Sequence, residues 1–475
     1  MTPINVKGTH DILFADGPYF TYVRDVFSQV ASLYGYSYLE PPVLEYTEVF
    51  LRSTGESSDI VRKEMYTFND KGDRSVTMRP EFTAGVLRAM ASSKLYADHD
   101  LPLKAFYFGP AFRYERPQLG RYRQFYQAGI EAVGADSPFL DAEAVVFACS
   151  ALSLMGFKGL KVKVNTLGGA ESRAAYKEAL KAYFADHIDE MCEDCHTRLE
   201  LNPLRILDCK VPHDHELALG APKMKDYLTK EDEDRFYNIL SLLATMEIDY
   251  EVDDTLVRGL DYYGGLVFEV HGSTKKGEDI GALLGGGHYD GLLSAFGGPS
   301  DIDHGVGFAM GVERLITLLK EQGLELPESD LDLYLMPLGE KAYESCYFLL
   351  QQLRMSGFKA DMPIKTGKLG SYFKKAEKRG AKIALIAGDS EIENGTVQVK
   401  NLATQEQREI PMEELAQTLD QLLVEDDGHD CGCGHHHHED GECCCGHHHE
   451  DGERHCHDDE EGQEHECCCH HHHHE

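Results

Sequence analysis

Residues 112–131, FRYERPQLGRYRQFYQAGIE, constrain the fold more than any other stretch of the chain. They join two apolar, aromatic-rich runs, AFYFG at 105–109 and RQFYQAGIEAVG at 123–134. Runs of that composition read as strands. Pro117 and Gly120 punctuate the segment between them, so the pattern is strand, polar loop, strand. Arg113, Arg116, Arg121 and Arg123 fall in the loop region. An arginine at the base of such a hairpin can meet a phosphate with its planar fork of donors. Basic groups farther out suit a nucleic-acid backbone. A solvated basic hairpin is the alternative, and the stretch taken alone favours it.

The chain's 475 residues suffice for two or three domains with a large buried core. The N-terminus, MTPINVKGTHDILF, has no basic region followed by an apolar core, and no run of eighteen apolar residues occurs. Neither secretion nor membrane spanning is therefore expected, and the expected compartment is the cytoplasm. The net charge of −36 is partly local. From position 425 onward there are 17 acidic residues and one Arg; the preceding 424 residues carry 65 acidic and 45 basic side chains. With an acidic body, any contact with nucleic acid must rest on local basic surfaces.

Residues 1–330 read as mixed α and β. Tyr19, Val23, Val26, Phe27, Val30 and Tyr34 recur at helical spacing, between Pro18 and a stop at Gly35. YSYLEPPVLEYTEVF then reads as an extended segment broken by Pro41 and Pro42. Residues 170–245 are more helical and charged. LELPESD at 324–330 reads as a linker. Beyond it LDLYLMPLG, a helix-period stretch at 341–357, KIALIAG, TVQVKNL and a last helix ending near Val424 suggest a compact α/β domain. Lys365, Lys368, Lys374, Lys375, Lys378, Arg379 and Lys382 form either an RNA surface or a solvated helix face. Residues 425–475 hold almost nothing apolar except Cys, cannot bury a core, and should be disordered without a ligand.

Three further strings stand far apart: TMRPEFTAG at 77–85, LVRGLDYYGGLVFEV at 256–270 and GVGFAMGVERL at 305–315. With the 112–131 hairpin they resemble histidyl-tRNA synthetase, a class II aminoacyl-tRNA synthetase. The resemblance covers about residues 1–424. The 112–131 hairpin and GVGFAMGVERL resemble class motifs 2 and 3 and indicate the class; RGLDYY points to histidine. The resemblance implies an α+β catalytic domain over 1–325, an antiparallel sheet flanked by helices, with a helical insertion at about 170–245. It implies an α/β anticodon-binding domain over 331–424 and a homodimer joined through the long helix and strand of class motif 1, which the YSYLEPPVLEYTEVF segment resembles. The implied reaction attaches L-histidine to histidine tRNA, using ATP and Mg²⁺, through a histidyl-adenylate.

Adenylate formation brings a carboxylate onto the α-phosphate of ATP, so the site must supply positive charge at phosphorus. By resemblance Arg113 and Arg258 serve the α-phosphate, and Arg314 lies near the γ-phosphate; Glu115 and Gly311 also belong to the ATP site. Gly305, Gly307 and Gly311 leave room where backbone and ligand approach closely. Glu81, Thr83 and Gln127 lie near the α-amino group of histidine. Glu131 and Tyr263 read the imidazole, with Tyr262 and Tyr289 beside them. Arg116 and Gln118 approach the tRNA acceptor end. GALLGGGHYDGL at 281–292 departs from the family pattern, with His288 where Arg is usual. A neutral imidazole supplies no fixed positive charge, which leaves the role of that position open. No general base for the transfer step stands out, so the substrate's own phosphate oxygen is the expected base. The alternative reading is a non-catalytic, histidine-sensing regulatory subunit of ATP phosphoribosyltransferase. That paralogue typically lacks an anticodon-binding domain and degrades these motifs.

Two groups of metal-ligand residues occur. Cys192 and Cys195, with Cys209 and one of His196, His213 or His215, form either a Zn²⁺ site or a set of ordinary reduced cysteines. The tail alternates clusters of both ligand types: Cys431 and Cys433; His435, His436, His437 and His438; Cys443, Cys444 and Cys445; His447, His448 and His449; Cys467, Cys468 and Cys469; then His470, His471 and His472 within a longer run. Neighbouring cysteines make no sensible disulfide framework. Imidazole and thiolate suit Ni²⁺ or Zn²⁺, so a multi-site metal-binding appendage is expected.

Overall fold

The computed structural model describes residues 4–426 except 55–57, 59, 118–119, 275, 277–278, 325 and 327–330. The tail ligands from Cys431 onward, and Gln118, therefore lie outside the described residues. The chain divides into two compact units, Met1–Ser329 and Asp330–Glu475.

The first unit is built on an eight-stranded sheet. Its spatial order is Ser37–Tyr38, Leu103–Phe112, Gln124–Val133, His304–Gly311, Asp279–Asp290, Tyr263–Ser273, Lys161–Thr166 and Tyr250–Val252. The five inner pairings are antiparallel, and only the two-residue and three-residue edge strands pair in parallel. The hairpin read from 112–131 is the pairing of Leu103–Phe112 with Gln124–Val133.

Successive residues of a strand point to opposite faces, so each face carries its own core. On one face Ile130, Phe268 and Phe308 pack against helices Gly17–Leu33, Pro138–Leu154, Lys230–Thr245 and Val312–Glu321. Phe27 meets Phe106, Phe147 and Phe308 edge-on, at centroid separations of 6.3, 5.6 and 6.4 Å. Each such pair adds about 0.5–1.5 kcal/mol beyond the area it buries. The helices begin where the sequence permits. Ser137 accepts from the Phe139 amide ahead of Pro138, and Thr229 accepts from the Asp232 amide. On the other face Tyr107, Tyr263 and Tyr289 pack with helix Thr83–Ser92 and with the helices between Ala170 and Leu219.

The segment at 37–50 differs from the extended reading. The prolines split it into strands Ser37–Tyr38 and Leu44–Tyr46, and helix Thr47–Thr54 follows. Glu48 in its first turn favours the helix start, and Val49 and Phe50 are buried one residue apart, which suits a helix embedded in the core. Leu44–Tyr46 joins Ser75–Met78 and Tyr66–Asn69 in a separate three-stranded sheet.

The second unit has a five-stranded sheet in the order Ala360–Asp361, Leu333–Leu338, Ile383–Gly388, Thr396–Asn401, Gln407–Pro411. The first three strands are parallel and the last two antiparallel. Helix Leu369–Lys378 buries Tyr372 and Ala376 and exposes Lys374, Lys375 and Lys378.

Candidate active site

A cavity of about 320 Å³ opens on the tyrosine-bearing face of the larger sheet. Residues brought to its wall from four distant strings include Glu81 and Thr83, Arg113 and Glu115, Arg258 and Tyr263, and Gly311 and Arg314. Gln127 and Tyr262 line it as well.

The hairpin delivers the first arginine. Arg113 follows directly on the Leu103–Phe112 strand, and its Nε donates to the Pro80 carbonyl at 2.9 Å. Its guanidinium lies 5.2 Å from the Phe125 ring. Glu115 stands 3.8 Å from Arg113 and 3.7 Å from Arg121. Arg123 serves the loop instead. It donates to the Glu115 carbonyl at 3.2 Å and lies 3.8 Å over Tyr114. Arg116 is exposed and off the cavity wall.

Arg258 approaches from the facing side. Its Nη1 donates to Glu269 at 2.5 Å, and its Nε has no partner among the described residues. Burial alone would raise the Glu269 carboxyl, but the hydrogen bond from His271 and the charge of Arg258 outweigh it and hold the group below the usual range. Gly285 lies beneath Arg258, where any Cβ would overlap the guanidinium. The loop carrying Arg258 is tied down by the helical insertion. Arg205 donates to the Gly259 carbonyl at 2.8 Å and Asn202 to Asp261 at 2.7 Å.

The floor is a buried polar cluster. Glu131 is 1% exposed and accepts from Thr83 at 2.6 Å, Tyr289 at 2.7 Å and Tyr107 at 3.3 Å. Burial drives its carboxyl up to about 8, against these three hydroxyls. Glu81 accepts from the amides of Thr83 and Ala84 at 2.6 and 3.0 Å, capping helix Thr83–Ser92, and burial raises it too. Gln127 is buried, and its Oε1 has no partner among the described residues. Such an acceptor suits an ammonium donor. Glu131 and Tyr289 lie under the wall rather than in it. Two of the glycines expected to face a ligand face side chains instead. A Cβ on Gly307 would overlap Glu131, and one on Gly305 would overlap Tyr289. Gly311 borders the cavity.

His288 departs from the expectation of a neutral ring. It lies between Asp141 at 2.9 Å and Asp290 at 3.0 Å, and His304 also reaches Asp290 at 2.7 Å. Burial would lower the imidazole, but the two carboxylates outweigh it and raise it to about 9. It is therefore cationic near neutrality. Arg235 completes the network through Asp141 and Asp136. His288 does not line the cavity; its neighbour Tyr289 turns toward Glu131, and His288 turns toward helix Pro138–Leu154.

Glu269 and Tyr107 are not legible as site residues, and Arg121 is read only as one of the basic residues of the hairpin loop. Glu269 has a weak signal, a lone charge in the apolar run GLVFEV.

The histidyl-tRNA synthetase family model matches residues 8–315, and an anticodon binding domain model matches 332–422. The chain belongs to the histidyl-tRNA synthetase family. Its first unit has the class II synthetase architecture, and its second contains the anticodon-binding domain. The histidine–tRNA ligase of Geobacillus kaustophilus is 43% identical over 418 residues, spanning 88% of this chain and 98% of that one. The apo histidyl-tRNA synthetase of Staphylococcus aureus superposes with a TM-score of 0.75 at 37% identity, covering 88% of this chain and all of that one. A Bacillus halodurans chain described as an ATP phosphoribosyltransferase regulatory subunit/histidyl-tRNA synthetase shares the fold, with a TM-score of 0.58 at 22% identity, covering 82% of this chain and 99% of that one. Among the described residues no helix is long and apolar enough to cross a membrane.

Proposed function

We infer that this synthetase is a histidine–tRNA ligase that runs both half-reactions in the 320 Å³ cavity. The observation that carries this reading is the convergence of Arg113, Arg258 and Arg314 on one cavity, above the buried Glu131 cluster. In the first half-reaction a histidine carboxylate oxygen attacks the α-phosphorus of ATP. A P–O bond forms, the bond to the β-phosphate oxygen breaks, and pyrophosphate leaves with the electron pair. Arg113 and Arg258 flank the α-phosphate and offset charge there, and Arg314 takes the distal phosphates. In the second half-reaction a tRNA ribose hydroxyl attacks the activated carbonyl carbon, and AMP leaves. The attacking proton passes to the substrate's phosphate oxygen.

Histidine is recognised at both ends. Glu81, Thr83 and Gln127 accept from its ammonium, and Tyr263 and Tyr262 face the imidazole, with Glu131 behind them reading it from beneath the wall and Tyr289 orienting Glu131. Mg²⁺, which the family implies, suits the carboxylates Glu115 and Glu269 on the wall. When bound it would neutralise phosphate charge. A second cavity of about 380 Å³ is lined by Arg173, Lys177 and Arg205 and shares Arg258 with the first. That basic surface, with Arg116 and Gln118, suits the tRNA acceptor end. The exposed lysines of helix Leu369–Lys378 suit tRNA in the second unit. The enzyme is proposed to act as a cytoplasmic homodimer. The tail, with its Cys and His clusters at 431–472, is proposed to bind Ni²⁺ or Zn²⁺.

Histidine-dependent exchange of radiolabelled pyrophosphate into ATP tests the first half-reaction. Exchange with histidine alone among the amino acids supports the reading. Histidine binding without exchange would contradict it.

A further inference from the structure

The helical insertion holds a second constellation, away from the cavity. Cys192, Cys195, Cys209 and Asp214 bring one ligand atom each within 4.8 Å of one another. The Cys192 and Cys209 sulfurs are 3.8 Å apart, and the Cys209 sulfur is 3.3 Å from Asp214 Oδ2. With Zn–S bonds of about 2.3 Å, tetrahedral geometry requires S···S edges of about 3.8 Å, and S···O edges slightly shorter. A disulfide would need about 2.05 Å and would leave one thiol over.

The electrostatics point the same way. Asp214 is 1% exposed, and it accepts from the Cys192 amide at 3.0 Å and faces the thiols of Cys192, Cys195 and Cys209. It has no cationic side chain beside it among the described residues. A buried carboxylate without a cation is costly. Two helix starts converge here. Cys192 caps helix Glu193–Leu201, which carries Cys195 in its first turn, and Asp214 lies in the first turn of helix Pro212–Leu219. Both favour anionic ligands. The fourth ligand is thus Asp214, not the His196, His213 or His215 open to the sequence reading.

We propose that Cys192, Cys195, Cys209 and Asp214 form a tetrahedral site for a divalent zinc ion. Binding displaces the thiol protons to solvent. The metal closes the loop from Cys195 to Cys209, and that loop contains Asn202 and Arg205, which hold Asp261 and Gly259 beside Arg258. The site is structural, with all four positions taken by protein, and it braces the loop that presents Arg258.

The test uses the full-length protein, stripped by a chelator and then given zinc, with peptide-resolved readouts that keep the Cys-rich tail separate. Zinc should slow hydrogen exchange by about tenfold or more across residues 188–219, and to a lesser degree across 256–263. It should protect Cys192, Cys195 and Cys209 from N-ethylmaleimide while leaving Cys149 and Cys346 unchanged. Cys195→Ser/Cys209→Ser, and separately Asp214→Asn, should abolish the zinc effect in 188–219 without altering exchange in Leu333–Leu338. Zinc protection confined to tail peptides, or a disulfide joining any two of the three cysteines in the stripped or zinc-loaded protein, would overturn the proposal.

Discussion

Gly307 stands opposite Glu131 in the central sheet, and only a residue without a side chain leaves room for the Glu131 carboxylate. The glycines of GVGFAMG therefore shape the Glu131 end of the cavity from behind. Gly307→Ala should push Glu131 out of register with Thr83 and Tyr289 and cost about 1–3 kcal/mol in stability. Histidine kcat/KM should fall by about 100-fold, because a small displacement of a specificity group is expensive. Pyrophosphate exchange against histidine concentration, with a melting curve, checks both.

Glu131 itself is protonated in the folded protein at neutral pH, since burial raises it from 4.5 to about 8. Below pH 4.5 the group is protonated folded or unfolded and its titration contributes nothing. As pH rises toward 8 only the unfolded chain releases the proton, so the group becomes a growing penalty on folding. Glu131→Gln removes that penalty. Its melting temperature relative to the parent should rise from pH 5 to pH 8. The same variant should raise the KM for histidine by about 10–100-fold and leave the KM for ATP unchanged.

His288 has the opposite sign. Its folded value of about 9 exceeds the usual 6.5, so the stability it lends through Asp141 and Asp290 is full below 6.5 and is lost as pH rises through 9. His288→Gln should therefore melt lower than the parent at pH 6, with the gap closing by pH 10. Exchange activity should change little at pH 7, since the ring faces away from the cavity. A large loss of exchange with normal stability would place His288 in the chemistry instead.

Much of this site is legible through the family resemblance that four distant strings carry, and those strings also break local rules. Glu131 is a carboxylate in an apolar strand, Tyr262 and Tyr263 follow RGLD, and glycines crowd strands where they should weaken pairing. The hairpin follows from its aromatic-rich runs and Pro and Gly punctuation, and the helix Gly17–Leu33 from its spacing between Pro18 and Gly35. What was hidden depends on pairings across the sheet. Nothing local says that Glu269 will meet Arg258, or that His288 will be flanked by carboxylates 147 positions before it and two after it. Asp214 was passed over for its histidine neighbours because spacing does not tell which residue of PHDH turns inward.

Arg258→Lys should lower the exchange rate by about 10²–10³-fold with little effect on melting. A lysine carries the charge but not the fork that reaches Glu269 and a phosphate together. An Arg258→Lys rate within a few fold of the parent would remove Arg258 from the account of the α-phosphate.

Ending the chain at Asp426 should leave aminoacylation unchanged and abolish multi-site Ni²⁺ binding by titration calorimetry. Retained Ni²⁺ stoichiometry would assign that binding to the folded units.

The most direct test is attachment of radiolabelled histidine to purified histidine tRNA by the full-length protein, with ATP and Mg²⁺. The account predicts robust charging, abolished by Arg113→Ala and by Arg314→Ala. Tight histidine binding with no charged tRNA would contradict it and would mark the chain as a histidine sensor.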